Sequence, residues 1–99
     1  MNRSEVIAKL KSVEPELRAR GAAALYLFGS FARDEASEDS DVDVFIDPGT
    51  DEFFGLENFA GAYEAIRKAI PGRAIGFGTR NGLSKYIRPA AEQEAIRVF

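Results

Sequence analysis

Residues 25–46, which read LYLFGSFARDEASEDSDVDVFI, decide the fold of this chain. The first apolar run ends in the pair Gly29-Ser30, and the second follows an acidic segment and begins around Asp41-Val42-Asp43. Short apolar runs bounded by turn residues are typical of buried strands. We therefore predict strands at about 23–28 and 42–46, with a turn and an acidic loop between them.

Asp41 and Asp43 are the candidate catalytic and metal-binding residues. Residues two apart on a strand point to the same face, so the two carboxylates lie roughly 7 Å apart along it. They could hold one divalent cation or a close pair; equally, such alternation could be the exposed face of an edge strand. The chain contains neither His nor Cys, so its metal ligands would be oxygens, which favours Mg²⁺, Mn²⁺ or Ca²⁺ over zinc.

Gly29 and Ser30 are candidates for binding phosphate. Glycine allows a backbone conformation and a close approach that a Cβ would prevent. We predict that Ser30 is the N-cap of a short helix over 31–36, which would leave backbone N–H groups free for an anion. The alternative is an ordinary strand-to-helix turn. Beside two acids, the turn indicates a metal-nucleotide site and phosphoryl or nucleotidyl transfer.

The rest of the chain predicts alternating helices and strands. Pro15 should break or restart the first helix and Pro89 should interrupt the last, because proline suits a first turn and not a helix interior. The further predicted elements are helices at 4–20, 56–70 and 83–97 and a third strand at 74–78. This order predicts an α/β fold, a small mixed sheet flanked by helices.

Composition limits the possible functions. Ninety-nine residues with 45% hydrophobic side chains predict one domain spanning 1–99. Without Cys or His, disulfides and Ser-His or Cys-His nucleophiles are excluded. No apolar run suits a membrane span or a signal peptide, so we expect a soluble, cytoplasmic protein. The net charge of −3 argues against direct nucleic-acid binding.

Charge is unevenly distributed along the chain. Residues 1–63 carry six basic and thirteen acidic side chains, whereas residues 64–99 carry seven basic and three acidic ones. A basic second half beside an acidic centre fits a cradle for a metal-bound polyphosphate, and it fits a dipolar solvated surface as well.

The segment GSFAR, the acidic linker and the Asp41-Val42-Asp43 strand resemble the GS-x10-D-x-D signature of the DNA polymerase β-type nucleotidyltransferase superfamily, and in particular its minimal members. The resemblance implies transfer of a nucleoside monophosphate, with ATP as substrate and Mg²⁺ or Mn²⁺ as cofactor, onto a hydroxyl. By the same resemblance, Gly29 and Ser30 would bind the triphosphate. Asp41 and Asp43 would bind the metal, and Arg33 would lie near the phosphates or orient the acidic loop.

The resemblance also implies a partner. Several minimal nucleotidyltransferases are similar to antitoxins that silence an HEPN-domain ribonuclease toxin by adding AMP to a tyrosine, which implies a hetero-oligomer. Two alternatives remain: a catalytically impaired antitoxin that acts by complex formation, and a transferase for a small molecule. The neighbouring Phe53 and Phe54 fit a partner surface, although core packing is the more frequent role of such residues.

Two positions depart from the family pattern. Gly76 stands where the third strand should carry a third carboxylate, which would complete the metal site and help to deprotonate the acceptor. Water or another acid could supply the missing ligand, or a shifted alignment could bring a different residue to this position. Asp47 cannot easily supply it, since it lies about 13 Å beyond Asp43 on an extended strand. Asp34 replaces a frequent glycine, and Asp tolerates the left-handed conformation better than most residues.

Overall fold

The computed structural model describes residues 1–49 and 55–99; Phe53 and Phe54 lie outside these ranges. The elements of the described residues, in chain order, are α1 (Arg3–Lys11), α2 (Glu14–Ala19), β1 (Ala22–Phe28), α3 (Gly29–Ala32), β2 (Val42–Pro48), α4 (Leu56–Ala69), β3 (Ile75–Thr79), a 3-10 turn (Arg80–Gly82), α5 (Arg88–Glu94) and β4 (Ile96–Arg97). Neither described range contains a helix with the length and apolar character of a membrane span.

In these ranges the strands form one mixed sheet in the order β3-β2-β1-β4. The central pair, β1 and β2, is antiparallel, and β3 runs parallel to β2. This arrangement confirms the predicted α/β class, a small mixed sheet flanked by helices. The ends of β1 and the beginnings of β2 and β3 therefore meet at one end of the sheet, where the signature residues lie.

The main core lies between one face of the sheet and α1, α2 and α4. Val42, Val44 and Ile46 on β2 are buried in it, as expected from the alternation of that strand. Phe45 points to the opposite face and is also fully buried, beneath the ring of Tyr26 at 4.9 Å between ring centroids. Both faces of β2 are therefore covered next to the acids at its beginning.

Local sequence explains most of the helix boundaries. Asn2 caps α1 by accepting a hydrogen bond from the Glu5 backbone N–H at 2.9 Å, and Glu5 returns the contact in a capping box. Pro15 lies in the first turn of α2, so the predicted helix over 4–20 restarts there. Gly21, with φ of 105°, follows α2 as a left-handed stop.

The predicted helix over 83–97 is wrong at both ends. Its helical part is α5, with Pro89 in the first turn rather than at an interruption. Residues 96–97 form β4, which pairs antiparallel with Tyr26 and Leu27. The exposed edge of β1 needs partners for its backbone groups, and the chain end supplies them instead of continuing as a helix.

Candidate functional site

The turn at Gly29 begins the site. β1 ends at Phe28, and Gly29 adopts a φ of 76°, a conformation that only glycine reaches without strain. A Cβ on Gly29 would also lie 2.5 Å from Oδ2 of Asp43. Glycine is thus required at this position by its backbone conformation, and the Asp43 carboxylate lies in the space that a side chain would take.

Ser30 does not cap α3 as predicted. The Arg33 N–H donates to the Gly29 carbonyl at 3.1 Å, so α3 begins at Gly29, two residues before the predicted start, and Phe28 occupies the N-cap. Ser30 lies inside the first turn, half-buried, and its carbonyl accepts from the Glu35 N–H at 2.9 Å. Asp34 ends the helix before the predicted boundary with φ of 60°, the left-handed conformation expected for the residue that replaces glycine.

The two acids of the motif lie at the beginning of β2. Asp43 pairs in register with Phe28 of β1 and with Gly76 of β3, so it lies at the centre of the three strand ends. Asp41 directly precedes the strand and is exposed, whereas Asp43 is half-buried. Burial raises the pKa of Asp43, the negative charge of Asp41 raises it further, and Arg33 opposes the shift.

Gly76 lies on β3, directly opposite Asp43 in the register of the sheet. A Cβ at Gly76 would lie 2.5 Å from Oδ1 of Asp43, while a Cβ at Gly29 would meet Oδ2. The two glycines therefore flank the carboxylate, one at each oxygen. A side chain at position 76 would require the Asp43 carboxylate to rotate, which is a small movement for the end of a side chain.

Arg33 lies at the edge of this site and is held by Glu94, a residue that no sequence pattern marked as part of the site. Arg33 Nη1 donates to Glu94 Oε2 at 2.9 Å, and the Gly29 N–H donates to Glu94 Oε1 at 2.9 Å. Glu94 ends α5 and is 65 residues from Gly29 in the chain. No local motif signals such a contact, because only the packing of α5 creates it.

The carboxylates of Asp41 and Asp43 provide some, but not all, of the oxygen ligands that a hard cation needs. Among residues 1–49 and 55–99, no three acidic side chains converge as a ligand cluster. Asp41 and Asp43 do repel each other through their charges, which a bound cation would relieve. Mg²⁺ commonly takes one or two carboxylates and completes its shell with water and substrate phosphates. We define the Gly29 site as Gly29, Ser30, Arg33, Asp41 and Asp43.

Asp47 is committed elsewhere on the same strand. Its two oxygens accept from Arg80 Nε and Nη2 at 2.8 and 2.9 Å, and Arg80 also donates to Glu92 at 2.8 Å. The guanidinium lies over the rings of Tyr26 and Phe45, 4.9 Å from each centroid. This Arg80 cluster, formed by Arg80, Asp47 and Glu92, anchors α5 to the sheet and leaves Asp47 unable to replace a missing ligand.

Comparison with known proteins agrees with this geometry. Residues 10–98 match the nucleotidyltransferase domain family. The chain is 38% identical over 68 residues to the protein adenylyltransferase MntA of Thermococcus cleftensis (strain DSM 27260 / KACC 17922 / CL1), an alignment that covers 64% of this chain and 69% of that protein. It is also similar to a solved structure described as a minimal nucleotidyltransferase, with a TM-score of 0.79, 28% identity, and coverage of 97% and 95% of the two chains.

Proposed function

Because this chain belongs to the nucleotidyltransferase domain family, we propose that it transfers AMP from Mg-ATP to a hydroxyl group of a partner protein. The observation that carries the proposal is the meeting of the Gly29 turn with the Asp43 carboxylate, where a Cβ would come within 2.5 Å of Oδ2. This closeness brings a backbone N–H and an arginine beside a pair of acids. Such a combination suits a triphosphate together with its metal ion.

In this proposal each residue has a distinct task. Asp41 and Asp43 bind the divalent cation, and Gly29, Ser30 and Arg33 bind the phosphates. Bound Mg²⁺ would neutralise phosphate charge during the transfer. The acceptor oxygen forms a bond to the α-phosphorus, the bond to the bridging oxygen breaks, and pyrophosphate leaves while the hydroxyl proton passes to a base.

The nature of the acceptor follows from similarity. The relative from Thermococcus cleftensis is named a protein adenylyltransferase, which supports a protein hydroxyl over a small molecule. We propose a tyrosine of an HEPN-domain toxin as the acceptor, with this chain as the cytoplasmic antitoxin in a hetero-oligomer.

The metal-nucleotide site is tested by calorimetry with Mg-ATP. We expect the Asp41→Asn/Asp43→Asn double variant to bind at least about tenfold more weakly than the wild type, since both metal-binding charges are lost. The Glu38→Gln/Asp39→Asn variant removes two charges from the exposed loop just before the site and serves as the matched control. Equal affinity in all three proteins, or no binding to the wild type, would refute the site.

A second function is favoured by Gly76: an antitoxin that neutralises its toxin by binding, with little or no transfer. Glycine at this position provides neither a metal ligand nor a base. Incubation with the HEPN toxin and ATP labelled at the α-phosphate separates the two functions. Label on the toxin with the wild-type chain supports the transferase, whereas label only with the Gly76→Asp variant supports the binding function and identifies its cause.

A further inference from the structure

Glu94 accepts hydrogen bonds from two residues at the edge of the Gly29 site. One carboxylate oxygen accepts from the Gly29 N–H and the other from Arg33, each at 2.9 Å. The Glu94 side chain is 23% exposed and that of Arg33 is 44% exposed. Partial burial raises the pKa of Glu94, but the hydrogen bonds from Arg33 and Gly29 outweigh it and lower the pKa below its ordinary value. The carboxylate is therefore ionised at neutral pH.

The position of this carboxylate conflicts with nucleotide binding. A backbone N–H is a single donor, so the Gly29 N–H that is bonded to Glu94 cannot also donate fully to a phosphate oxygen. Arg33 likewise donates from Nη1 to the Glu94 carboxylate, and its Nε lies 3.8 Å from Oε2 of Glu35. An incoming triphosphate would meet a resident negative charge at the two groups that should attract it.

We propose that Glu94 is an internal competitor of the triphosphate: it occupies Gly29 and Arg33 in the free protein and is displaced when the nucleotide binds. The inference rests on the proposed function, because it concerns the donors which that function assigns to phosphate. It gives the C-terminal end of α5 a regulatory role. Anything that holds Glu94 in place weakens nucleotide binding, and anything that draws it away strengthens it.

The surroundings of Glu94 allow this displacement without unfolding. Glu92, two residues earlier, anchors α5 through Arg80, and Ala91 is buried beneath the helix. Helical structure ends at Glu94, since Ala95 is already extended with φ of −62° and ψ of 139°. A change of side-chain rotamer at the helix end is therefore enough to free the Gly29 site.

Glu94 is not a substitute for the missing third carboxylate. Both of its oxygens already accept hydrogen bonds, and it forms no ligand cluster with the other acids of the described ranges. A metal ligand and a competitor also predict opposite results on neutralisation. Loss of a ligand would weaken the binding of Mg-ATP, whereas loss of a competitor would strengthen it.

The test is the Glu94→Gln variant, which keeps the size of the side chain and removes its charge. Titration with sodium tripolyphosphate and with Mg-ATP should give a Kd about fivefold to tenfold lower than in the wild type, the range for a charge-assisted contact at a partly exposed position. Glu57→Gln removes the same charge from an exposed position in the first turn of α4 and leaves the Arg80 cluster intact. It should leave both Kd values within about twofold of the wild type, since a remote exposed charge is screened by salt.

A second measurement separates this inference from the proposed function. The amide signal of Gly29 in a ¹⁵N–¹H spectrum should shift in Glu94→Gln, and in the wild type on addition of tripolyphosphate. An unchanged Gly29 signal in Glu94→Gln overturns the inference whether or not nucleotide binds. Unchanged or weaker affinity in a folded Glu94→Gln protein overturns it too and leaves the proposed function standing, whereas absence of binding in both proteins overturns both.

Discussion

The face of the sheet that carries the Gly29 site contains two groups of charges built in opposite ways. In the Arg80 cluster, each oxygen of Asp47 accepts a hydrogen bond and the guanidinium is covered by two aromatic rings. At the Gly29 site, Asp43 is half-buried beside another acid, and no donor among residues 1–49 and 55–99 reaches its carboxylate. Charges that are paired stabilise a fold, whereas a buried charge without a partner costs stability and is expected where a ligand completes it.

The largest effect on stability should come from breaking the Arg80 cluster, in which the charges are paired. Arg80→Ala removes a bidentate ion pair, the contact with Glu92 and two ring contacts, and it leaves Asp47 without its partner. Because the Arg80 side chain is 25% exposed, we expect a loss of about 2 kcal/mol in the free energy of unfolding. Chemical denaturation measures this loss. Arg88→Ala, which pairs with the same Glu92 at 3.0 Å, is the control and should cost only a few tenths of a kcal/mol.

The difference in stability between the wild type and Arg80→Ala should depend on pH. The hydrogen bond from Arg80 lowers the pKa of Glu92 below its ordinary value. Partial burial raises this pKa, and the hydrogen bond from Arg88 helps to lower it. A carboxylate whose pKa is lowered by folding contributes stability above its ordinary pKa and loses that contribution as the pH falls through the lowered value. The difference between wild type and Arg80→Ala should therefore shrink below about pH 4. A difference that is constant down to pH 2 would show that ring packing, rather than charge, dominates.

A smaller effect on stability should follow from adding a negative charge to the Gly29 site. Gly76→Asp places a third carboxylate beside Asp43, and we expect it to lower stability by about 1 kcal/mol without divalent cations. Gly78→Asp is the matched control: it lies on the same strand and face, and a Cβ there would meet nothing within 4 Å. Thermal unfolding with and without MgCl₂ measures both. Mg²⁺ should restore stability in Gly76→Asp more than in the control, and an equal response would contradict a metal site at Asp43.

The smallest effect should be a gain. Asp43→Asn removes a half-buried charge whose pKa is raised by burial and by Asp41. We expect about 0.5 kcal/mol of added stability at neutral pH without divalent cations, a value reduced because solvent still screens the group. Asp39→Asn, in the exposed loop, should change stability less. A clear loss in Asp43→Asn would mean that the carboxylate is paired and that the contrast between the two groups is wrong.

Local pattern was enough to predict the parts of the site that are close in sequence. The alternation around Asp43 predicts that Val42, Val44 and Ile46 face the main core, and the glycine at 29 predicts a left-handed turn, because strand period and backbone sterics act over a few residues. The left-handed conformation of Asp34 is predictable for the same reason. The misplaced N-cap at Ser30 shows the limit of such predictions, since α3 begins at Gly29, two residues before the predicted start.

Contacts between distant segments were not predictable in this way. Nothing around residue 94 indicates that Glu94 meets Gly29, and the segment that forms β4 looked helical from its own composition. Its strand conformation is decided by the free edge of β1. There the N–H of Val98, the residue after β4, donates to the Leu25 carbonyl at 2.8 Å. Such pairings depend on where whole elements pack, which is not encoded in any short window.

The sequence by itself determined the family, the α/β order and the two acids beside the glycine turn, because these depend on spacing within a single strand-turn-strand segment. Only the tertiary structure decided that Asp47 is held by Arg80, that Gly76 lies directly against Asp43, and that Glu94 covers the Gly29 turn. The physical reason is that a side chain's partner is chosen by the packing of elements. That packing brings together residues that are far apart in the chain.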